Sequence, residues 1–223
     1  MNKLHLAIIC DGNRRWAKAQ GFLPWQGHEQ AIRNFRGILD WFREDGRVGT
    51  LTLWAFSTEN WKRDAKEVAK LMELFEWFLN DERPRFMEHG VRLVHSGRKD
   101  RIPASLASLM AEIEAETAGH STFTLHLAID YGGRDEVTRA VRKLEDAADA
   151  TEELIRAHLD HPELPDIDLV IRTSGEQRTS NFFLWQAGYA EWFFVQKHFP
   201  ALKPEDIDAC LKAFGERSRR FGT

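Results

Sequence analysis

Short apolar runs rich in β-branched and aromatic residues recur along this chain. Longer stretches, in which apolar positions return every three or four residues, separate them. The runs at 4–10, 50–55, 91–95, 123–129 and 169–172 read as strands, with a weaker sixth at 192–195. The stretches at 28–44, 66–88, 103–117, 135–148, 152–159 and 204–217 read as amphipathic helices, the last opened by Pro204 and Glu205. Strands alternating with helices predict βαβ units, hence an α/β fold with a mostly parallel six-stranded sheet flanked by helices. No repeat, low-complexity tract or linker interrupts the pattern, so 1–223 reads as a single domain.

The polar interruptions fall where such a fold concentrates chemistry. Asp11, Gly12, Asn13, Arg14 and Arg15 follow the first strand run, and the segment 57–63 (Ser-Thr-Glu-Asn-Trp-Lys-Arg) follows the second. Asp130-Tyr131-Gly132-Gly133-Arg134 and the segment 172–178 (Arg-Thr-Ser-Gly-Glu-Gln-Arg) follow two more. In a parallel sheet all carboxyl ends of strands share one edge, and ligands bind in the crevice there. Four Arg-bearing polar segments are therefore expected to converge on one cleft.

Arg14, Arg15, Arg63, Arg134, Arg172 and Arg178 suit phosphate oxygens, which guanidinium groups bind in bidentate fashion. The glycines in these segments would let backbone amides approach an anion. Asp11 is a candidate ligand for Mg²⁺, a hard cation commonly held by one or two carboxylates plus substrate phosphates; a helix-capping Asp is the alternative. Glu191 is a candidate second carboxylate, or equally a buried structural Glu. His28, near a helix start, would donate to phosphate or move a proton, or else cap the helix. No GxxxxGK[ST], GxGxxG, HExxH or CxxC occurs, which argues against P-loop, dinucleotide and zinc chemistry.

Composition changes this picture little. The net charge of −4 gives no global pull toward nucleic acid or an anionic membrane, so any anion site must be local. Two cysteines, Cys10 and Cys210, fit a reducing, cytoplasmic setting. No apolar run approaches the roughly 20 residues of a membrane span, and the opening reaches Asp11 too soon for a signal peptide. Eight Trp and fifteen Phe leave two readings open, a bulky core or an aromatic-walled pocket for an apolar ligand.

The segments HLAIICDGNRRWAK, LTLWAFSTENWKR, AIDYGGRDE and DLVIRTSGEQRTSNFFLWQAGYAEWFF together resemble the cis-prenyltransferase family, that of undecaprenyl diphosphate synthases and their short-chain relatives. The resemblance runs over 5–222. It implies a Mg²⁺-dependent homodimer with a hydrophobic tunnel beside the sheet and two adjacent diphosphate sites. By resemblance Asp11, with help from Glu191, holds the metal. Gly12, Asn13, Arg14, Arg15, Trp16 and His28 belong to the allylic donor site. Arg172, Arg178 and Ser180 belong to the acceptor site. Ser57, Asn60, Trp61 and Arg63 shape the reacting centre. An R-x-G segment, here Arg220-Phe221-Gly222, reaches the partner subunit. The substrates implied are dimethylallyl diphosphate and isopentenyl diphosphate.

The chain departs from the family pattern at several points. Relatives carry Arg where this chain has Pro24, Met at Cys10, Pro at Asp64, Asn at Asp130, often Tyr at Trp54, and in some cases His at Gln177. Trp41, Phe42, Trp54, Trp77 and Phe78 put bulk into stretches that line the family's tunnel, which predicts a short C10–C15 product unless these side chains pack outward. A changed donor site and a blocked tunnel would suit head-to-middle joining of two dimethylallyl diphosphates, giving lavandulyl-type skeletons, with or without cyclisation. Regular head-to-tail elongation with isopentenyl diphosphate, including to a longer polyprenyl product, is the alternative. A non-catalytic partner subunit and a prenyl-diphosphate hydrolase complete the alternatives.

Overall fold

The computed structural model describes residues 3–146, 148 and 150–217. Its six strands are β1 (Leu4–Ile9), β2 (Val48–Ser57), β3 (Val91–Ser96), β4 (Phe123–Tyr131), β5 (Leu169–Arg172) and β6 (Glu191–Phe194). They form one sheet in the order β3-β4-β2-β1-β5-β6. Every pairing is parallel, so the sheet is wholly rather than mostly parallel among the described residues. Around it lie α1 (Asn13–Ala19), α2 (Pro24–Asp45), α3 (Ala65–His89), α4 (Ala104–Thr117), α5 (Gly133–Val141), α6 (Glu152–Ala157) and α7 (Pro204–Gly215).

Local chemistry sets the helix ends. Pro24 occupies the first turn of α2, where its missing N–H costs nothing, and Gly46 closes that helix in the left-handed region. The Asp64 side chain accepts from the amides of Lys66 and Glu67 and so starts α3. α2 therefore begins four residues before the expected start at 28. The expected helix 135–148 runs only as Gly133–Val141. α1 stands where a loop was expected, because Asn13, Arg14 and Arg15 already belong to a helix opened by Gly12.

Alternation along the central strands divides the apolar residues between two faces. Leu6, Ile8, Leu51 and Leu53 pack with α2, α3 and α4 in the larger core, beside Phe35, Phe42, Phe78 and Phe86. Ala7, Ile9 and Trp54 face the other way, with Tyr131, Phe182 and Phe183. The chain leaves β1 toward β2 on one side and leaves β5 toward β6 on the other. β1 and β5 are neighbours, Ile9 opposite Arg172, so the crevice beyond their carboxyl ends is the switch point of the sheet.

Candidate active site

Asp11 and Arg172 face each other across that crevice. Arg172, only 3% exposed, donates from Nη2 to Asp11 Oδ2 at 3.0 Å and from Nη1 to Ser180 Oγ at 2.8 Å. Its Nη1 also donates to the Arg178 carbonyl, while Nε has no partner. The Gly12 amide donates to Asp11 Oδ1 at 2.7 Å, and Arg15 approaches the same oxygen at 3.2 Å. Burial alone would raise the Asp11 carboxyl. The bonds from Arg172 and Gly12 and the two guanidinium charges outweigh it and hold the group below the usual carboxylate range. Gly12 has φ +92°, and a Cβ there would collide with Ser174 Oγ and His198 Nδ1, so only glycine carries the chain from β1 into α1.

One turn into the site, Asn13 Nδ2 donates to the Cys10 carbonyl at 3.3 Å. That carbonyl only accepts, so the amide orientation is fixed and the same Nδ2 donates to His28 Nδ1 at 3.2 Å. A neutral His28 then carries its proton on Nε2. Burial pushes the His28 pKa down, partly offset by Glu67, so the neutral form is the resident one. Asn13 Oδ1 and His28 Nε2 are buried without hydrogen-bond partners.

The loop after β2 is held from beneath. The Asn60 side chain accepts from the Ser57 amide at 3.1 Å, and Trp61 Nε1 donates to Asp130 Oδ1 at 2.8 Å. Asp130, fully buried at φ +51°, is bound also by Arg101, from Nε at 2.7 Å and from Nη2. Asn and Asp are the residues best suited to that left-handed backbone, and the acid additionally requires Arg101 as counter-ion.

Two spaces meet here. A polar cleft of about 740 Å³ has Asp11, Arg14, Arg15, Ser57, Arg63 and Arg172 among its walls. A narrow apolar cavity of about 50 Å³ adjoins it between the sheet (Leu53, Ala55, Leu127, Ile129), α2 (Ala31, Ile32, Phe35) and α3 (Leu71, Phe75, Phe78, Leu79). Cys10, Asn13, His28 and Ala55 line both and form the neck. Phe35 and Phe78 stand 5.8 Å apart in the cavity wall. An arginine-lined mouth beside an apolar cavity suits an amphiphile with an anionic head.

The prenyltransferase family model, described as undecaprenyl diphosphate synthase, matches residues 9–222. The chain belongs to this family. The isoprenyl transferase of Helicobacter hepaticus is 43% identical over 98% of this chain and 96% of its own length. The Escherichia coli ditrans,polycis-undecaprenyl-diphosphate synthase, (2E,6E)-farnesyl-diphosphate specific, is 42% identical over 98% of this chain and 89% of its own. The crystal structure of lavandulyl diphosphate synthase from Lavandula x intermedia, in complex with dimethylallyl diphosphate, superposes with a TM-score of 0.92 at 34% identity, covering 98% of both chains. The chain is thus a prenyltransferase.

Most residues singled out in the sequence meet at the cleft of this prenyltransferase: Asp11, Gly12, Asn13, Arg14, Arg15, His28, Ser57, Asn60, Arg63, Arg172 and Ser180 all line it. Four do not. Glu191 opens β6 opposite Leu169, at the amino edge of the sheet, whereas Asp11 follows the carboxyl edge; within one chain the two carboxylates do not share a metal, and Glu191 pairs with Arg217. Arg178 is exposed and paired with Glu176. Trp16 lies against Phe22, their ring centroids 6.0 Å apart, and Trp61 packs under the loop on Phe56. Arg220 and Gly222 lie outside the described residues. Among the described residues no three His, Cys, Asp or Glu side chains cluster as a closed metal site.

Two participants escaped the sequence reading. Glu67, from the first turn of α3, has Arg63 at 3.5 Å and both Arg14 and His28 at 3.7 Å. His198 accepts or donates at 2.5 Å with Ser174 Oγ behind Gly12. The only available signal for Glu67 was its place four residues after Arg63.

Proposed function

We propose that this prenyltransferase is a Mg²⁺-dependent prenyl diphosphate synthase. It joins an allylic diphosphate to isopentenyl diphosphate head-to-tail and makes a short, C10–C15, product. The arginine-lined cleft and the apolar cavity beside it, which share Cys10, Asn13, His28 and Ala55 as walls, carry this reading. Asp11 fits a metal role: it is ionised and partly exposed, and among the described residues no cluster of three ligating side chains includes it, so phosphate oxygens and water would complete the shell. When bound, Mg²⁺ supplies charge stabilisation to the leaving diphosphate.

The chain's own residues do the rest. Arg14, Arg15 and the Gly12 segment receive the donor diphosphate, and Arg172 with Ser180 receives the acceptor diphosphate. The allylic C–O bond breaks, its electron pair leaving with the diphosphate. The acceptor double bond attacks the allylic carbon, and the resulting cation loses a proton to restore a double bond. Guanidinium groups aimed at the departing oxygens stabilise the charge that develops there. The apolar neck excludes water that would otherwise trap the cation. The family setting supports a homodimer in the cytoplasm; no helix among the described residues is long and apolar enough to cross a membrane.

A second reading, head-to-middle joining of two dimethylallyl diphosphates, is favoured by Pro24 in place of the family arginine and by the overlay on lavandulyl diphosphate synthase. The sequence departures put it first; the names of the relatives at 42–43% identity put elongation ahead. Incubation with Mg²⁺ and dimethylallyl diphosphate, with and without isopentenyl diphosphate, separates them. A C10–C15 diphosphate formed only with both substrates is expected. A C10 product from dimethylallyl diphosphate alone transfers the assignment to head-to-middle coupling, and free prenol without any C–C bond would sink both.

A further inference from the structure

Glu67 lies behind the cleft wall with one carboxylate among three cationic or proton-bearing groups from three other segments. Arg14 comes from α1, His28 from α2, and Arg63 from the end of the turn after β2. The side chain is only 9% exposed, and Asp64 fixes its backbone in the first turn of α3, where the helix dipole favours an anion. His28, Arg14 and Arg63 keep its carboxyl below the usual range although burial opposes this.

All three contacts lie at 3.5–3.7 Å, beyond a hydrogen bond, and the two to the arginines are within reach of charge attraction. Glu67 Oε1 and His28 Nε2 accordingly have no hydrogen-bond partner, though both are buried. A buried ion pair offsets its desolvation cost only where hydrogen bonds close it, and these contacts are not closed. Here the carboxylate attracts the cations without capturing them. Arg14, Arg63 and His28 meanwhile line the cleft that would take the diphosphate.

We propose that Glu67 is an internal counter-anion of the cleft, a positioning residue that holds Arg14, Arg63 and His28 ready and releases the two arginines when a diphosphate enters. The inference rests on the diphosphate reading above. Its consequence is a sign opposite to that of an ordinary site residue. Glu67 competes with the substrate's phosphates, so removing its charge strengthens anion binding and slows departure of the product diphosphate. The same carboxylate begins the helix face that carries Leu71, Phe75 and Phe78, four, eight and eleven residues on, so the competition is anchored to the wall of the apolar cavity.

Calorimetric titration of inorganic pyrophosphate at fixed Mg²⁺ into the wild-type protein, Glu67→Gln and Glu67→Asp tests this. Glu67→Gln is expected to bind about fivefold tighter. Glu67→Asp, which draws the charge back by one methylene, should shift the same way by less. With substrates, kcat and KM for the allylic diphosphate should fall together in Glu67→Gln at an unchanged melting temperature. Unchanged or weaker pyrophosphate binding in whichever variant folds overturns the proposal. A wild-type protein that binds no pyrophosphate sinks instead the diphosphate reading on which it stands.

Discussion

At the residue scale the site turns on Asp11, whose charge is maintained by two arginines and an amide rather than by exposure. Replacing it with Ala removes the proposed metal ligand and leaves Arg172, almost wholly buried, without its carboxylate partner. The expected result is a loss of turnover of at least about a hundredfold, in line with removal of a group that stabilises transition-state charge, with the fold retained. Product formation and circular dichroism on the same preparation check both halves. Near-normal activity would remove Asp11 from the mechanism. Asp11 was legible because a lone acid followed by Gly-Asn-Arg-Arg at a strand end has few structural explanations. The place of Glu191 was not legible, because proximity to a strand says nothing of which end of the strand it occupies. Only the register, Glu191 opposite Leu169, shows that it starts the strand rather than ends it.

At the scale of elements, α2 and α3 decide how much space the product has. Sequence bulk pointed to Trp41, Phe42, Trp54, Trp77 and Phe78, but the helical and strand periods sort them differently. Trp77 is 46% exposed under the Arg36 guanidinium, Trp54 faces the other side of the sheet, and Phe42 is fully buried in the core. Phe78 alone of the five lines the apolar cavity, together with Phe35 and Phe75, which the sequence did not flag. One residue of rotation separates Trp77 from Phe78, about 100° on a helix, and composition does not carry that phase. Phe78→Ala should lengthen the product by one or more isoprene units, read by mass spectrometry of the extracted diphosphates. It should also cost about 3 kcal/mol of stability, since a large ring leaves a space its neighbours fill only in part. A shorter or unchanged product would mean that the channel ends elsewhere.

At the scale of the whole molecule, a polar ladder crosses the sheet on the face that carries the smaller core. His5 on β1 and Thr52 on β2 share a hydrogen bond at 2.7 Å, Thr52 and His126 on β4 share one at 2.9 Å, and His126 reaches Ser96 Oγ on β3 at 2.7 Å. Burial lowers the pKa of His5 and His126, and that of His95 falls to about 4. The unfolded chain therefore binds protons on these rings from about pH 6.5 downward, while the folded chain does not. Stability is fully present above that pH and declines as the pH falls from about 6.5 toward 4. Urea midpoints across this range should drop with acidity, and His126→Asn should flatten the slope; a flat wild-type profile would show that these rings protonate without unfolding. The parallel α/β frame was legible from alternation alone, and it correctly gathered four loops on one edge. The ladder was not, because three of its four members are ordinary strand residues until the register aligns them.

The Asp130 pocket carries a constraint of a historical kind. A buried Asn at that position would accept from Trp61 without needing a charge, whereas the acid present here is bound by Arg101 as well. An exchange from Asn to Asp without the arginine strands an anion in the core, while an arginine facing Asn remains tolerable at the rim, where Arg101 is partly exposed. The arginine is therefore expected to precede the acid. Sequences intermediate between this chain and its relatives should hold Asn with Arg, and Asp without Arg should be the missing combination.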